Sequence, residues 1–91
     1  MIKNNLVICN KLGLHARAAS KLVSLSLKFN SEITLTVNKS NITANCKSIM
    51  GIMMLEASYG TKITITTTGC DETESNKAVT TLISNKFGEE Q

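Results

Sequence analysis

The chain of 91 residues has no proline, no tryptophan and few aromatic side chains, which make up 3% of it. Without aromatic rings on which bases could stack, binding of single-stranded nucleic acid is a weak hypothesis. The three cysteines, Cys9, Cys46 and Cys70, are widely spaced, form no CxxC pair and accompany a single histidine. This pattern fits neither a disulfide framework nor a zinc site, so we expect reduced thiols and no metal or other cofactor.

Long apolar runs are also missing. The longest covers residues 49–55 and includes Gly51. Secretion signals and membrane spans need much longer runs, so the sequence predicts a cytoplasmic protein without membrane insertion. Ten lysines and arginines against seven acidic residues give a net charge of +3, and the basic residues are dispersed. This mild bias favours acidic partners or phosphate and argues against nucleic acid.

The length and composition predict one small globular domain, residues 1–91. A mass of 9.8 kDa is too small for two hydrophobic cores. Hydrophobic residues at 42% and charged residues at 19% are near the globular average. We expect a monomer.

The hydrophobic pattern predicts seven elements in the order strand, helix, strand, strand, helix, strand, helix. The predicted strands are residues 2–9, 32–37, 42–46 and 61–68, and the predicted helices are residues 16–29, 47–55 and 71–87. Lys28 and Lys86 are expected in the last turns of the first and third helices, and Asp71, Glu72 and Glu74 in the first turn of the third, as the helix dipole prefers. The alternating strands predict an α+β two-layer open-faced sandwich, with a four-stranded antiparallel sheet and all three helices on one face.

The single histidine and the single arginine lie two residues apart, at the junction of a loop and the first predicted helix. Backbone N–H groups at a helix start lack intrahelical partners, so the amides of Ala16 and Arg17 can bind an anion beside His15. A neutral imidazole can attack a phosphoryl group, and a guanidinium matches phosphate geometry. This triplet alone is a weak motif, since His15 and Arg17 could also be an ordinary helix-start residue and a solvated charge.

Two longer segments strengthen the hypothesis. The sequence GLHARAAS at residues 13–20, the sequence KSIMGIMML at residues 47–55 and the order of the elements resemble the HPr family, the histidine phosphocarrier proteins of the bacterial phosphoenolpyruvate-dependent phosphotransferase system. The resemblance covers essentially the whole chain. It implies that His15 accepts a phosphoryl group at Nδ1 from phospho-enzyme I and passes it to a histidine or cysteine on an A-type domain of a sugar permease, with Arg17 stabilising the group. The protein would then be a carrier and no free-standing enzyme.

One residue departs from the family pattern and leaves the branch open. Family members often have proline after the arginine, whereas this chain has Ala18, which is compatible with a first helical turn but lacks the fixed φ of proline. The form with alanine also resembles relatives in Gram-negative bacteria, including carriers of the nitrogen-related regulatory branch. That branch is the alternative function. A purely regulatory interaction protein of this fold is a further class, but relatives of that kind lack the active histidine.

The second segment suggests regulation and docking. A serine such as Ser48 commonly hydrogen-bonds a helix start. Its segment also resembles the regulatory site of the family, which implies phosphorylation by an HPr kinase/phosphorylase. The apolar residues 49–55 cannot all face one side of a short helix. For Ile49, Met50 and Met53 the resemblance implies docking to enzyme I and to acceptor domains, and exposed methionines adapt to several partners.

Overall fold

The computed structural model describes residues 1–89. Four strands and three α-helices follow one another in the predicted order, and a short 3₁₀ turn comes after them. The strands are β1 (Ile2–Val7), β2 (Glu32–Val37), β3 (Ile42–Asn45) and β4 (Lys62–Thr68), the helices are α1 (Ala16–Ser26), α2 (Ile49–Met54) and α3 (Glu72–Ser84), and the 3₁₀ turn is Lys86–Gly88. Most bounds lie within two residues of the predicted ones.

The strands form one open antiparallel sheet in the order β1-β4-β2-β3. Its register places Leu35 of β2 between Ile65 of β4 and Ala44 of β3, and all three side chains are buried. The next residue along β2, Thr36, lies on the opposite face and hydrogen-bonds Thr43 at 2.7 Å. Because successive side chains alternate between faces, the sheet has one apolar face and one polar face.

The helices cover the apolar face. Ala18 and Leu22 of α1, Ile52 of α2, and Val79 and Ile83 of α3 are fully buried in the same core as the strand residues. The predicted two-layer α+β architecture is therefore confirmed.

The first helix is shorter than the hydrophobic pattern predicts. It ends at Ser26, so Lys28 lies beyond its last turn, and the prediction that Lys28 complements the helix dipole was wrong. After Ser26 the backbone tightens: the Lys28 and Phe29 amides bond carbonyls only three residues back. The following amides, of Asn30 and Ser31, are bound by a side chain from the other end of the chain, which draws the backbone away from a helical path.

That side chain is Asp71, the only aspartate in the chain. It occupies the N-cap position of α3 without capping that helix, so the prediction that it lies in the first turn was wrong; Glu72 and Glu74 do lie there. Its carboxylate accepts hydrogen bonds from the Asn30 and Ser31 amides, both at 2.9 Å, and from the Ser31 hydroxyl. These bonds, with that from the Ser31 hydroxyl first, lower the pKa of the Asp71 carboxyl below its usual range. Asp71 thus joins the end of α1 to the start of α3.

We expect Asp71→Asn to lower stability at neutral pH and to remove part of its acid dependence. A carboxyl whose folded pKa is lowered stabilises the fold above its unfolded pKa, about 3.9, and the contribution is lost as pH falls through the folded value. Both carboxylate oxygens accept from N–H donors, so the amide group of asparagine must place a donor against a donor. Thermal unfolding from pH 7 to pH 2 should show the two proteins converging below about pH 4.

Glu74→Gln is the matched control for this comparison, because it removes one carboxylate from an exposed position in the same helix. It should differ from wild type by no more than the roughly 0.3–1 kcal/mol expected of an exposed carboxylate near a helix start. A constant difference between Asp71→Asn and wild type, with no convergence in acid, would contradict the assignment.

The third helix also ends early. It stops at Ser84, and Lys86 lies in the 3₁₀ turn, so Lys86 does not complement the dipole of α3 as predicted. Lys86 and Phe87 have φ of 58° and 55°, values that a helix does not allow. This left-handed backbone turns the chain so that the Phe87 side chain enters the core, where it is fully buried.

Within residues 1–89, no helix is long and apolar enough to cross a membrane. The three cysteines are free thiols: Cys9 is half-buried, Cys46 buried and Cys70 exposed. Burial raises the pKa of the Cys46 thiol to about 12. A thiol that stays protonated is a poor nucleophile, so Cys46 is a core residue and not a reactive one.

Candidate functional site

The loop before α1 is held against the loop after α2. Gly13 has a φ of 67°, and a Cβ added there would lie 2.8 Å from the Ala57 carbonyl oxygen and 2.8 Å from the Ser58 Cα. The next amide, of Leu14, donates to the same Ala57 carbonyl at 2.8 Å. Only glycine fits both the left-handed backbone and the close approach. The position of His15 is therefore set by backbone contacts on both sides of the loop.

His15 is the N-cap residue of α1, with extended backbone angles and no side-chain bond to its own helix. The first helical bond runs from the Ala19 amide to the His15 carbonyl at 2.8 Å. The amides of Ala16 and Arg17 precede that bond, so α1 itself offers them no acceptor. The His15 side chain is 24% exposed. The structure thus combines an accessible imidazole with the positive end of a helix, as the sequence predicts.

The imidazole contacts a residue that the sequence did not indicate. Its Nε2 lies 2.5 Å from a carboxylate oxygen of Glu89, whose side chain is 15% exposed. The other carboxylate oxygen accepts from the Asn10 side-chain amide at 2.8 Å. Asn10 is fully buried, and the same amide group donates to the Gly13 carbonyl at 2.7 Å. Asn10 therefore ties the loop that carries His15 to the carboxylate that contacts the ring.

The hydrogen bond from Asn10 lowers the pKa of the Glu89 carboxyl below its ordinary value. The bond with His15 and the positive charge of Arg17 act in the same direction, and partial removal from water opposes them. Glu89 is consequently ionised at neutral pH and can only accept hydrogen bonds.

Arg17 is exposed near the start of α1, and it forms no salt bridge within residues 1–89. Its charge is near enough to affect Glu89. The guanidinium is therefore free to receive an anion at the helix start. Lys21, Lys28 and Lys47 are positive charges that could attract an acidic partner. Lys21 and Lys47 donate to the backbone carbonyls of Phe87 and Phe29, at 2.8 and 2.7 Å, and Lys28 is exposed.

Ser48 is the N-cap residue of α2, and its hydroxyl accepts from the Gly51 amide at 3.2 Å. The helix-start role expected of a serine here is confirmed. The residue is exposed, so its hydroxyl is also accessible from outside.

The apolar side chains of α2 divide between the core and the surface. Ile52 is fully buried, while Ile49, Met50, Met53 and Met54 are 43%, 69%, 39% and 76% exposed. We call these four exposed residues the α2 patch. Scattered exposed apolar residues are ordinary, but four on one short helix form a continuous surface of the kind that binds other proteins.

Asn10 and Glu89 were missed because nothing local marks them. Asn10 lies in a segment of turn formers, residues 10–13, and Glu89 lies 74 residues from His15. The only signal in the sequence is their residue type, since an amide and a carboxylate can both orient an imidazole. The chain contains several other asparagines and glutamates, so residue type alone does not identify these two.

Comparisons with known proteins point to one family. A family model described as "PTS HPr component phosphorylation site" matches residues 2–85. The phosphocarrier protein HPr of Neisseria meningitidis is 49% identical over 89 residues, which cover 98% of both chains. The crystal structure of HPr-C-His from Thermoanaerobacter tengcongensis superposes with a TM-score of 0.93 at 45% identity and covers 100% of both chains.

A phosphocarrier protein named NPr also matches, at lower identity than the HPr of Neisseria meningitidis. The phosphocarrier protein NPr of Shewanella violacea is 40% identical over 88 residues, which cover 97% of this chain and 94% of that one. Matches of this extent and identity include the histidine loop, the α2 segment and the whole sheet. The chain therefore belongs to the HPr family, the phosphocarrier proteins of the phosphotransferase system.

Proposed function

We propose that this protein accepts a phosphoryl group from phospho-enzyme I on Nδ1 of His15 and passes it to A-type domains of sugar permeases. The observation that carries the proposal is the placement of His15: a partly exposed ring at the N-cap of α1, with Nε2 occupied by Glu89. Nδ1 makes no hydrogen bond to any residue from 1 to 89. Nδ1 is therefore the ring nitrogen available for attack.

Little covalent chemistry is needed from the remaining residues, because phosphoryl transfer depends on alignment and on charge stabilisation. The amides of Ala16 and Arg17 and the positive end of α1 stabilise the phosphoryl oxygens beside His15. The guanidinium of Arg17 adds a donor pair that matches phosphate geometry. Because the site is open to solvent, the next partner can approach the phosphorus in line.

The α2 patch is the proposed docking surface for enzyme I and for the acceptor domains. Ile49, Met50 and Met53 are exposed on one side of the molecule's second helix, while Ile52 anchors that helix in the core. Methionine side chains are flexible and polarisable, so one surface can fit several partners. The expected monomeric state leaves this surface free.

The sugar-transport branch is favoured over the nitrogen-related branch. The HPr of Neisseria meningitidis is 49% identical, and the NPr of Shewanella violacea is 40% identical. The donor enzyme distinguishes the two branches.

The test uses the full chain, radiolabelled phosphoenolpyruvate and each of the two types of enzyme I in separate reactions. We expect one acid-labile phosphate per molecule, located on His15 by mass spectrometry, with faster transfer from the sugar-type enzyme I. Faster transfer from the nitrogen-type enzyme I would assign the protein to the alternative branch. No acid-labile phosphate from either donor would overturn the proposal.

Phosphorylation of Ser48 is proposed as the regulatory modification. Phosphate would add about −1.5 to −2 charge at the start of α2. The helix dipole tolerates negative charge there, so the fold should remain intact. The phosphate should instead weaken the binding of partners to the α2 patch. Its charge lies next to Ile49, in an apolar surface that must lose its water on binding.

We therefore expect Ser48→Asp to slow phosphoryl acceptance from enzyme I by about tenfold, mainly through a higher KM, since a buried interfacial charge without a partner costs on the order of 1–3 kcal/mol. Initial rates measured against protein concentration will show it. Ser40→Asp is the matched control, because Ser40 is an exposed serine in the turn between β2 and β3. Acceptance at the wild-type rate by Ser48→Asp would exclude this form of regulation.

A further inference from the structure

Glu89 meets His15 on the ring nitrogen that the proposed transfer does not use. Its carboxylate lies 2.5 Å from Nε2, and the Asn10 amide holds the other carboxylate oxygen at 2.8 Å. We propose that Glu89, held by Asn10, is a positioning residue for His15: it keeps the proton on Nε2, presents the Nδ1 lone pair, and balances the positive charge that the ring acquires with the phosphoryl group. This inference rests on the proposed function.

The tautomer follows from the hydrogen-bonding capacity of the two groups. An ionised carboxylate only accepts hydrogen bonds, so the nitrogen facing it must carry the hydrogen. In a neutral imidazole one nitrogen is a donor and the other an acceptor. With the hydrogen on Nε2, Nδ1 keeps its lone pair and is the nucleophile.

The transfer step then balances without a proton acceptor from solvent. The Nδ1 lone pair forms a bond to phosphorus, and the bond between phosphorus and the donor atom of phospho-enzyme I breaks, with its electron pair leaving on that atom. The hydrogen stays on Nε2. The ring gains one positive charge, which the Glu89 carboxylate faces directly. Because the carboxylate is already in place, it stabilises the product ring without reorganisation during the reaction.

Packing of the preceding residues fixes the contact between Glu89 and His15. Phe87, two residues before Glu89, is fully buried, and the Lys21 side chain donates to its carbonyl at 2.8 Å. Lys86, Phe87 and Gly88 all have left-handed φ, between 55° and 78°. Left-handed φ is uncommon and costly for non-glycine residues, so the packing of Phe87 and the bond from Lys21 must hold this turn in place. The anchored turn directs the Glu89 side chain back toward the loop of His15.

Asn10 completes the arrangement from the other side. It is fully buried and donates both to Glu89 and to the Gly13 carbonyl. One side chain thus sets the distance between the histidine loop and the carboxylate. If Glu89 only joined residues 10 and 89 in the fold, its hydrogen bond with Asn10 would be sufficient. The additional contact with Nε2 of His15 gives the carboxylate a chemical role.

The decisive test is ¹⁵N NMR of the histidine ring together with transfer kinetics, on the full chain. His15 is the only histidine, so its two ring nitrogens are assigned without ambiguity. We expect wild type to show the Nε2–H tautomer almost alone. Glu89→Gln should raise the share of the Nδ1–H tautomer and slow acceptance from phospho-enzyme I by about three- to tenfold, as expected for loss of one charge-assisted bond at a partly exposed site. The loss should appear in kcat, with KM unchanged.

Two further variants make the result specific. Glu74→Gln removes the same charge from an exposed position on α3 and should match wild type in both measurements. Glu89→Asp keeps the carboxylate on a shorter side chain and should restore part of the rate. Thermal unfolding checks that each variant is folded before its kinetics are compared.

The outcomes separate this inference from the proposed function. If wild type accepts no phosphate, the proposed function fails, and the ring spectra still decide whether Glu89 sets the tautomer. If wild type accepts phosphate and Glu89→Gln has the same ring spectrum and the same kcat, the role of Glu89 is overturned. A slower Glu89→Gln protein whose rate loss is entirely a higher KM would also overturn it, because that result indicates docking.

Discussion

His15→Ala is expected to accept no phosphoryl group from phospho-enzyme I. The substitution removes the chain's only imidazole and with it the atom proposed to attack the phosphorus. The assay mixes the protein with radiolabelled phosphoenolpyruvate and a catalytic amount of enzyme I. Phosphate that is stable in base and labile in acid should fall from one per molecule in wild type to background in His15→Ala. The effect is larger than that of any other substitution considered, because it removes the reacting atom and not a group that stabilises it.

The same variant should remain folded. The His15 side chain makes no capping bond to α1, and its contact with Glu89 lies at a partly exposed surface. Its melting temperature should therefore lie close to that of wild type, which separates loss of chemistry from loss of structure. Arg17→Lys is the companion variant: it keeps the positive charge, loses the paired donors and should slow the transfer without abolishing it. Acid-labile phosphate on folded His15→Ala would place the acceptor elsewhere and end the interpretation of this site.

Phe87→Ala is expected to lower the free energy of unfolding by about 3–5 kcal/mol, as for other fully buried phenylalanines. The side chain is 0% exposed and belongs to the same core as the sheet and the helices. Small domains have only about 5–15 kcal/mol of net stability, so a large fraction would be lost. Urea unfolding followed by far-UV circular dichroism should show a lower midpoint with a similar slope.

Phe87→Ala should also affect phosphoryl transfer at His15. Without the buried ring, only the hydrogen bonds from Lys21 and Asn10 hold the turn and its carboxylate, so Phe87→Ala should slow phosphoryl acceptance in the same way as Glu89→Gln. Phe29→Ala is the matched control, because Phe29 is the chain's other phenylalanine and only half-buried. Its cost in stability should be smaller, and its transfer rate should remain normal. An equal slowing of transfer by the two substitutions would contradict the anchoring of Glu89 by Phe87.

The architecture could be predicted because its signals are local. Ile33, Leu35 and Val37 alternate with polar residues, and only a strand with one buried face satisfies that period. The helix ends could not be predicted in the same way. Asp71 binds the amides of Asn30 and Ser31 from 41 and 40 residues away, and no window around α1 contains that information.

The amino-acid sequence by itself determined that a histidine and an arginine lie together at the start of a helix, since both the glycine before them and the apolar period after them are neighbours along the chain. Only the tertiary structure decided what surrounds the ring. Glu89 meets His15 because the sheet, the burial of Phe87 and the bonds of Asn10 bring the two together across 74 residues. Local pattern specifies an element, whereas the exact end of a helix and the partner of a side chain depend on how all the elements pack at once.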